Sequence, residues 1–180
     1  MSPIYYFGRY LMLLKNTFSK PEKGSLYVQR TLTEMDNIGV KSLGIVVLIS
    51  IFMGAVTTIQ TAYQLISDLI SKSVIGSVVS NSSMLELSPT ITSLVLAGRI
   101  GSSIASEIGT MRVSEQIDAL EVMGINSAGY LILPKIIAAL IVIPLLVIIS
   151  MFLAISGGIL AGEATGIVSS EDFMEGTRAT

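Results

Sequence analysis

Cysteine, histidine and tryptophan are absent from the 180 residues, and charged side chains make up only 13% of them. Without cysteine or histidine there can be no disulfide, no thiolate or imidazole metal site, and no catalytic group of either type. Soluble domains carry about 25% charged residues, so a stand-alone soluble enzyme is disfavoured. Hydrophobic residues make up 51% and the formal net charge is −2. These values exclude disorder and argue against a nucleic-acid partner.

Two long segments contain no charged residue: 42–67, with 26 residues, and 136–162, with 27 residues. About 20 apolar residues are enough for a helix to cross the hydrocarbon core of a membrane. We therefore predict an all-α polytopic membrane protein, with span one at 43–66 and span three at 132–160. The alternative, two buried helices of a soluble protein, would need more covering protein than 180 residues supply. Gly157 and Gly158 are expected to loosen the outer end of span three.

A third segment, 87–107, has the length of a membrane span but contains Arg99. Small residues recur on both sides of this arginine, at spacings that let helices approach one another closely. The segment suits contact with other helices better than contact with lipid. We predict span two here, and a re-entrant or surface segment is the alternative.

Lysine and arginine are distributed unevenly between the two sides of the predicted spans. Six precede Ser42 and two, Arg112 and Lys135, lie between span two and the charge-free segment 136–162, whereas the other side has only Lys72 and Arg178. The positive-inside rule then places the N-terminus in the cytoplasm, with 68–86 and an outer loop at 163–180 on the far side.

The cytoplasmic segment 1–41 begins with apolar residues at helical spacing, which predicts a helix lying in the membrane interface. A helix packed on a soluble partner is the alternative. The apolar positions are Ile4, Phe7, Leu11, Leu14 and Phe18.

Polar residues inside the predicted spans are candidates for a substrate cavity. An arginine at membrane depth costs at least ~2.5–3.5 kcal/mol, so Arg99 should face the bundle interior, a wet cavity or a head group. We interpret Arg99 as a contact for an anionic substrate or as a gate; the alternative is a structural charge held by another helix. Glu107, near the cytoplasmic end, is a gate or structural polar group. The other candidate cavity residues, some of which could instead mark the outer interface, are Gln60, Tyr63, Gln64 and Ser103.

Residues 111–124 predict a short amphipathic helix between spans two and three. Ser114 is its expected N-cap and Gly124 its expected stop. Its acidic side suits a protein partner better than anionic lipid, although an ordinary connecting helix is the alternative. The apolar face comprises Val113, Ile117, Leu120 and Met123. The acidic face comprises Glu115, Asp118 and Glu121.

Several motifs of catalysis and energy conversion are missing. No G-x-x-x-x-G-K-[ST] loop is present, so the chain is not expected to bind ATP by that route. The charge-free spans also hold no acidic relay for protons. Energy for uphill transport would have to come from an ion gradient or from another subunit.

The run LAGRIGSSIASEIGTMRVSEQIDALEVMG, residues 96–124, resembles the MlaE (YrbE) family of ABC-transporter permeases. These are membrane subunits of bacterial phospholipid-trafficking systems. The resemblance implies a homodimer in the bacterial inner membrane that binds a cytoplasmic ATPase and an MCE-domain protein. Arg99 matches an arginine near the family's lipid cavity, and 111–124 is similar to the coupling helix that docks on the ATPase. The family has two further membrane helices, so the chain is expected to be shorter than a full permease.

The function that the resemblance implies is movement of phospholipids between the inner membrane and the outer envelope. A separate ATPase would bind the ATP, and the chain itself would be non-enzymatic, without cofactor or metal. Two alternatives remain: a scaffold subunit that anchors its partners, and a channel or carrier that works without partners.

Overall fold

The computed structural model describes residues 3–19, 24–65 and 72–178, and within these ranges every regular element is helical. Two π-helical turns, Asp36–Val40 and Ser83–Leu87, join α2 to α3 and α4 to α5 without a break in the helical backbone. The predicted all-α fold is confirmed. In chain order the helices are α1 (Pro3–Ser19), α2 (Gly24–Met35), α3 (Lys41–Gln64), α4 (Ser73–Ser82), α5 (Ser88–Val113), α6 (Gln116–Val122), α7 (Ser127–Thr165) and α8 (Ser170–Arg178).

Two helical stretches are long and apolar enough to cross a membrane. They are Tyr27–Gln64, with a mean hydropathy of 2.3, and α7, with a mean hydropathy of 3.1. Large apolar side chains point outward from both: Phe52, Leu140 and Phe152 are each at least 64% exposed. The core helix of a soluble protein would bury such side chains, whereas a lipid-facing helix exposes them. Both stretches therefore agree with a helical membrane protein.

Helix α5 is long enough to span a membrane but is not one of these two apolar stretches. Its arginine and its many small polar residues lower its hydropathy. The number of three spans therefore stays a prediction.

The chain divides into two compact units. Unit one comprises residues 1–41 and 98–142, and unit two comprises residues 42–97 and 143–180. Helices α5 and α7 each contribute residues to both units.

Unit one contains α1, α2, α6 and parts of α5 and α7. The guanidinium of Arg30 lies 3.7 Å from the centre of the Tyr130 ring, which attaches α2 to the start of α7. Thr17 of α1 is buried, and a Cβ added at Gly129 would lie 3.2 Å from its carbonyl oxygen. Helix α1 is therefore tied to α7 at its C-terminal end.

The predicted N-terminal helix is confirmed as a helix. Of its predicted apolar face, Phe7 and Leu11 are exposed and Leu14 is half-buried, whereas the side chains of Ile4 and Phe18 lie outside the described residues. An outward apolar face is compatible with a lipid interface, and the interfacial position of this helix stays a prediction.

In unit two, glycines let α3 and α7 touch through their backbones. A Cβ at Gly54 would lie 1.8 Å from the carbonyl oxygen of Ala154, and one at Gly157 would lie 2.4 Å from that of Ile51. Gly158 is also buried, against Thr58. The expectation that Gly157 and Gly158 loosen α7 is wrong, because both lie in a close helix crossing and the helix continues to Thr165.

Three buried hydroxyl groups connect α3, α5 and α7 within unit two. The Oγ of Ser150 lies 2.9 Å from Ser50 Oγ and 2.8 Å from Thr92 Oγ1. All three residues are at most 4% exposed. Hydroxyl contacts of this kind hold apolar helices together where no hydrophobic driving force acts between them.

The predicted outer loop, 163–180, contains helix α8. Ser169 Oγ accepts a hydrogen bond from the Asp172 backbone N–H, and the two side chains also hydrogen-bond to each other, so Ser169 caps the helix. Phe173 of α8 is buried with Val79 of α4. Where the two helices meet, a Cβ at Gly176 would lie 1.9 Å from the carbonyl oxygen of Ser73. Capping and burial together explain why this segment is helical.

Candidate functional site

A polar cavity of about 660 Å³ lies within unit one. Its walls come from the end of α2 with the following π-helical turn, from Lys41 at the start of α3, from the C-terminal half of α5, and from α7. Cavities of about 300–1,000 Å³ are typical of ligand sites. The lining residues are Glu34, Asn37, Ile38, Lys41, Arg99, Ile100, Ser102, Ser103, Ile104, Ser106, Glu107 and Lys135.

Lys135 is the most enclosed charged group of this cavity, with 5% of its side chain exposed. Its Nζ donates hydrogen bonds of 2.7 Å to Glu34 Oε1 and of 2.7 Å to Glu107 Oε2. A buried ammonium needs such partners, because an unpaired charge in an apolar environment loses its hydration without compensation. The three side chains thus connect α2, α5 and α7; below they are called the Lys135 cluster.

The charges on the cavity wall do not cancel. Lys41, Arg99 and Lys135 are positive and Glu34 and Glu107 are negative, so the lining carries a formal charge of +1. A cationic, partly enclosed cavity attracts an anion more strongly than an exposed surface does, because its walls exclude water.

Arg99 is half-buried and lies on the wall formed by α5. Ser102, Ser103 and Ser106 line the same cavity, since residues three, four and seven positions on share a helix face. Ser102 Oγ donates to the carbonyl oxygen of Arg99 at 2.9 Å. The structure thus brings together the two sequence-predicted residues Arg99 and Ser103, and it places Glu107 on the same wall.

The other predicted cavity residues lie elsewhere. Gln60, Tyr63 and Gln64 belong to the C-terminal end of α3 in unit two, and all three are exposed. They do not line the unit-one cavity. Their assignment as cavity residues stays a prediction.

The predicted connector helix is shorter than residues 111–124. Helix α5 continues to Val113, the chain turns at Ser114 and Glu115, and α6 covers Gln116–Val122. The predicted N-cap Ser114 is wrong: Glu115 takes the N-cap position, with φ of 57°. A left-handed residue breaks the helix, so Val113 is separated from the rest of its predicted apolar face.

The predicted stop at Gly124 is confirmed. Gly124 has φ of 77°, its N–H donates to Glu121 O, and the N–H of Ile125 donates to Leu120 O. These two bonds form a Schellman motif, which satisfies the last carbonyl groups of α6.

The surface of the connector combines exposed apolar groups with partnered acidic groups. Val113, Val122 and Met123 are 65–89% exposed, whereas Ile117 and Leu120 are half-buried. Two of the acidic side chains link α6 to the adjoining helices, since Asp118 pairs with Arg112 of α5 and Glu121 accepts a hydrogen bond from Ser127 of α7. Val113, Val122 and Met123 are therefore apolar groups of the connector that are open to a partner.

The sequence reasoning missed Glu34, Lys41 and Lys135 as cavity residues. Lys41 and Lys135 directly precede the two charge-free segments, and this position was the available signal. A charged residue at the edge of a span lies at the depth where polar and apolar surroundings meet. The pairing of Lys135 with Glu34, 101 residues away, had no signal in the sequence.

A family profile described as Permease MlaE matches residues 31–180. The chain belongs to the MlaE permease family. The profile covers α3 to α8, and it includes every residue on the wall of the unit-one cavity. The resemblance of residues 96–124 to this family is therefore confirmed.

This MlaE permease is similar to several named proteins. A probable ABC transporter permease protein of Rickettsia bellii is 43% identical over 152 residues, which cover 84% of this chain and 58% of that protein. The chloroplastic protein trigalactosyldiacylglycerol 1 of Arabidopsis thaliana is 38% identical over 153 residues, covering 85% and 43%. The intermembrane phospholipid transport system permease protein MlaE of Haemophilus influenzae is 36% identical over 140 residues, covering 78% and 53%. The chain thus spans about half the length of these curated relatives.

Proposed function

We propose that this chain is the permease subunit of an ABC transporter that moves phospholipids between the inner membrane and the outer envelope. The observation that carries the proposal is Arg99 on the wall of a cationic cavity. It is the one charged residue between Glu86 and Glu107 in the sequence. A guanidinium can form two parallel hydrogen bonds to a phosphate, so it suits the head group of a phospholipid. The name of the Haemophilus relative, which includes phospholipid transport, supports the same substrate.

The proposed energy source is a separate cytoplasmic ATPase that docks on α6. The chain has no phosphate-binding loop, so ATP hydrolysis is assigned to a partner. The exposed Val122 and Met123 give this partner an apolar contact. Helices α5 and α7 adjoin α6 on either side and both line the cavity, so movement of α6 would reach the lipid site through them.

The proposed assembly is a homodimer in the inner membrane, with its N-terminus in the cytoplasm and an MCE-domain protein on the far side. The excess of basic residues on the side of the N-terminus, compared with the far side, supports this orientation. A dimer is supported by the small residues of α5, because Gly98 and Gly101 have open space where a Cβ would project. Close helix contacts in membranes form at such positions.

The lipid site is tested by Arg99→Ala, with Arg178→Ala as the control for loss of an arginine outside the cavity. Each variant is purified in detergent, and its bound phospholipid is measured by mass spectrometry. We expect Arg99→Ala to lose most of the bound lipid while its assembly stays intact, and Arg178→Ala to retain it. Normal lipid loading in Arg99→Ala would contradict the proposal and favour the scaffold alternative.

Docking on α6 is tested by Val122→Glu, with Val122→Thr as a control of similar volume and no charge. Val122 is 89% exposed, so neither change disturbs packing within the chain. We expect Val122→Glu to lose the ATPase on co-purification and Val122→Thr to retain it. If the ATPase stays bound to Val122→Glu and also to Met123→Glu, α6 is not the docking site. Transport by the purified chain without ATPase or nucleotide would instead support the carrier alternative.

A further inference from the structure

We propose that the unit-one cavity binds a phosphate group through Lys41 together with Arg99. The inference deepens the proposed function, on which it rests for the lipid as the source of that phosphate. It adds Lys41 as a second cationic side chain in contact with the phosphate, and it explains why the cavity accepts an anion despite two carboxylates on its wall.

Lys135 is poorly accessible to a ligand, although it lines the cavity. Its ammonium already donates to Glu34 and Glu107 at 2.7 Å, and its side chain is 5% exposed. The bonds also hold both carboxylates in place and offset half of their combined charge. Lys135 therefore offsets part of the negative charge of the wall, and Lys41 and Arg99 are the other cations that line the cavity.

Lys41 differs from Lys135 in exposure and in partner. Its side chain is exposed, and its Nζ donates to Asn37 Oδ1, the oxygen of an uncharged amide. Within the residues that the structure describes, no carboxylate lies at ion-pair distance from Lys41. Its charge can therefore act on a ligand in the cavity that it lines.

The position of Lys41 suits a lipid head group. It is the first residue of α3, follows the π-helical turn Asp36–Val40 directly, and precedes the charge-free segment 42–67. A lysine at the edge of an apolar segment places its ammonium at the membrane interface, where phosphates lie. π-Helical turns are frequent at functional sites, and this turn supplies Asn37 and Ile38 to the cavity wall.

The cavity charge of +1 matches the single negative charge of a phosphodiester. Ser103 and Ser106 can add hydroxyl donors from α5, whereas Ser102 already donates to the backbone of Arg99. Two cations with hydroxyl donors form a phosphate site that does not need a metal ion. A lipid phosphodiester and inorganic phosphate share this chemistry, so the experiment must separate them.

The test is a charge series on the full chain in detergent, with binding of phosphatidylglycerol measured against diacylglycerol of the same acyl chains, which lacks the phosphate. Lys41→Gln lowers the cavity charge to zero, and we expect it to weaken phosphatidylglycerol binding about tenfold. Lys41→Arg should bind within about twofold of the unchanged chain. Glu34→Gln raises the charge to +2 and should strengthen binding. Lys15→Gln, the same charge change on α1, is the control and should have no effect. Circular dichroism verifies that each variant is folded.

The inference is overturned if folded Lys41→Gln binds phosphatidylglycerol as the unchanged chain does, if Glu34→Gln binds it no more tightly, or if diacylglycerol binds equally well. In the first two results the unchanged chain still binds the phospholipid, so the proposed function survives, whereas equal binding of diacylglycerol would also contradict recognition of a phospholipid head group. A second arm adds inorganic phosphate as a competitor. Displacement that depends on Lys41 supports the phosphate site. Binding of phosphate without any binding of lipid also supports it, but contradicts the proposed lipid substrate.

Discussion

Removal of the Lys135 ammonium tests whether the Lys135 cluster stabilises unit one. Lys135→Met keeps the length of the side chain and deletes its charge. Glu34 and Glu107 would then face each other without a cation between them. The cost depends on how far each carboxylate is screened by water: the side chain of Glu34 is 17% exposed and that of Glu107 is 46% exposed.

The two ion pairs contribute unequally to this cost. Breaking a buried pair costs about 3–5 kcal/mol, because the remaining charge has no counterion, whereas an exposed pair contributes about 0–1 kcal/mol. The bond to Glu34 is close to a buried pair, and the bond to Glu107 is closer to an exposed pair. We expect Lys135→Met to lower the free energy of unfolding by about 3 kcal/mol, or roughly 6–12 °C in Tm for a chain of this size.

The assay is unfolding in detergent followed by circular dichroism, with Lys15→Met as the control for loss of an exposed lysine. In a Glu34→Gln background, Lys135→Met should lower the free energy of unfolding by only about 1 kcal/mol, because the more buried of the two carboxylates that would lose its counterion is already absent. Glu34→Gln should itself cost more than Glu107→Gln, because Glu34 is more buried. A Lys135→Met variant within 0.5 kcal/mol of the unchanged chain would refute the role given to this cluster.

Three further changes, the first with a matched control, test the crossing of α3 and α7, the shared hydroxyl and the cap of α6. Gly54→Ala should lower the free energy of unfolding by about 2 kcal/mol or more, because its Cβ would meet the Ala154 backbone. Gly44→Ala on the same helix has open space and should raise it by about 0.5–1 kcal/mol. Equal effects of the two changes would contradict this crossing. Ser150→Ala should cost about 1 kcal/mol by removing the shared hydroxyl, and no change would dismiss that contact. Gly124→Ala should cost about 1 kcal/mol through its positive φ, and an unaffected α6 in hydrogen exchange would count against the cap.

Local patterns predicted the elements whose cause is local. Charge-free length predicted the two apolar helical stretches, because membrane thickness sets the number of apolar residues a span needs. Gly124 predicted the end of α6, because glycine is the residue that adopts a left-handed conformation without strain. Helix α8 also had a local signal, Ser169 followed by Asp172 at capping distance, which the interpretation of 163–180 as a loop overlooked.

The start of α6 was predicted wrongly for a physical reason. Ser114 is a favoured cap by residue type, yet its Oγ bonds to the carbonyl of Thr110 in the preceding helix, so it ends α5 instead of starting α6. Serine can satisfy either a helix end or a helix start, and sequence alone does not distinguish the two.

The residue types of the sequence were sufficient to assign a helical membrane protein and to identify Arg99, because a charge in an otherwise apolar segment needs polar surroundings, whichever residues supply them. The pairing of charges on the cavity wall was not readable in this way. It depends on which carboxylates meet Lys135, and these come from positions 101 and 28 residues away. No periodicity connects residues so far apart. Packing of α2, α5 and α7 brings the three side chains within hydrogen-bond distance, and only this packing decides which charges of the cavity wall are paired.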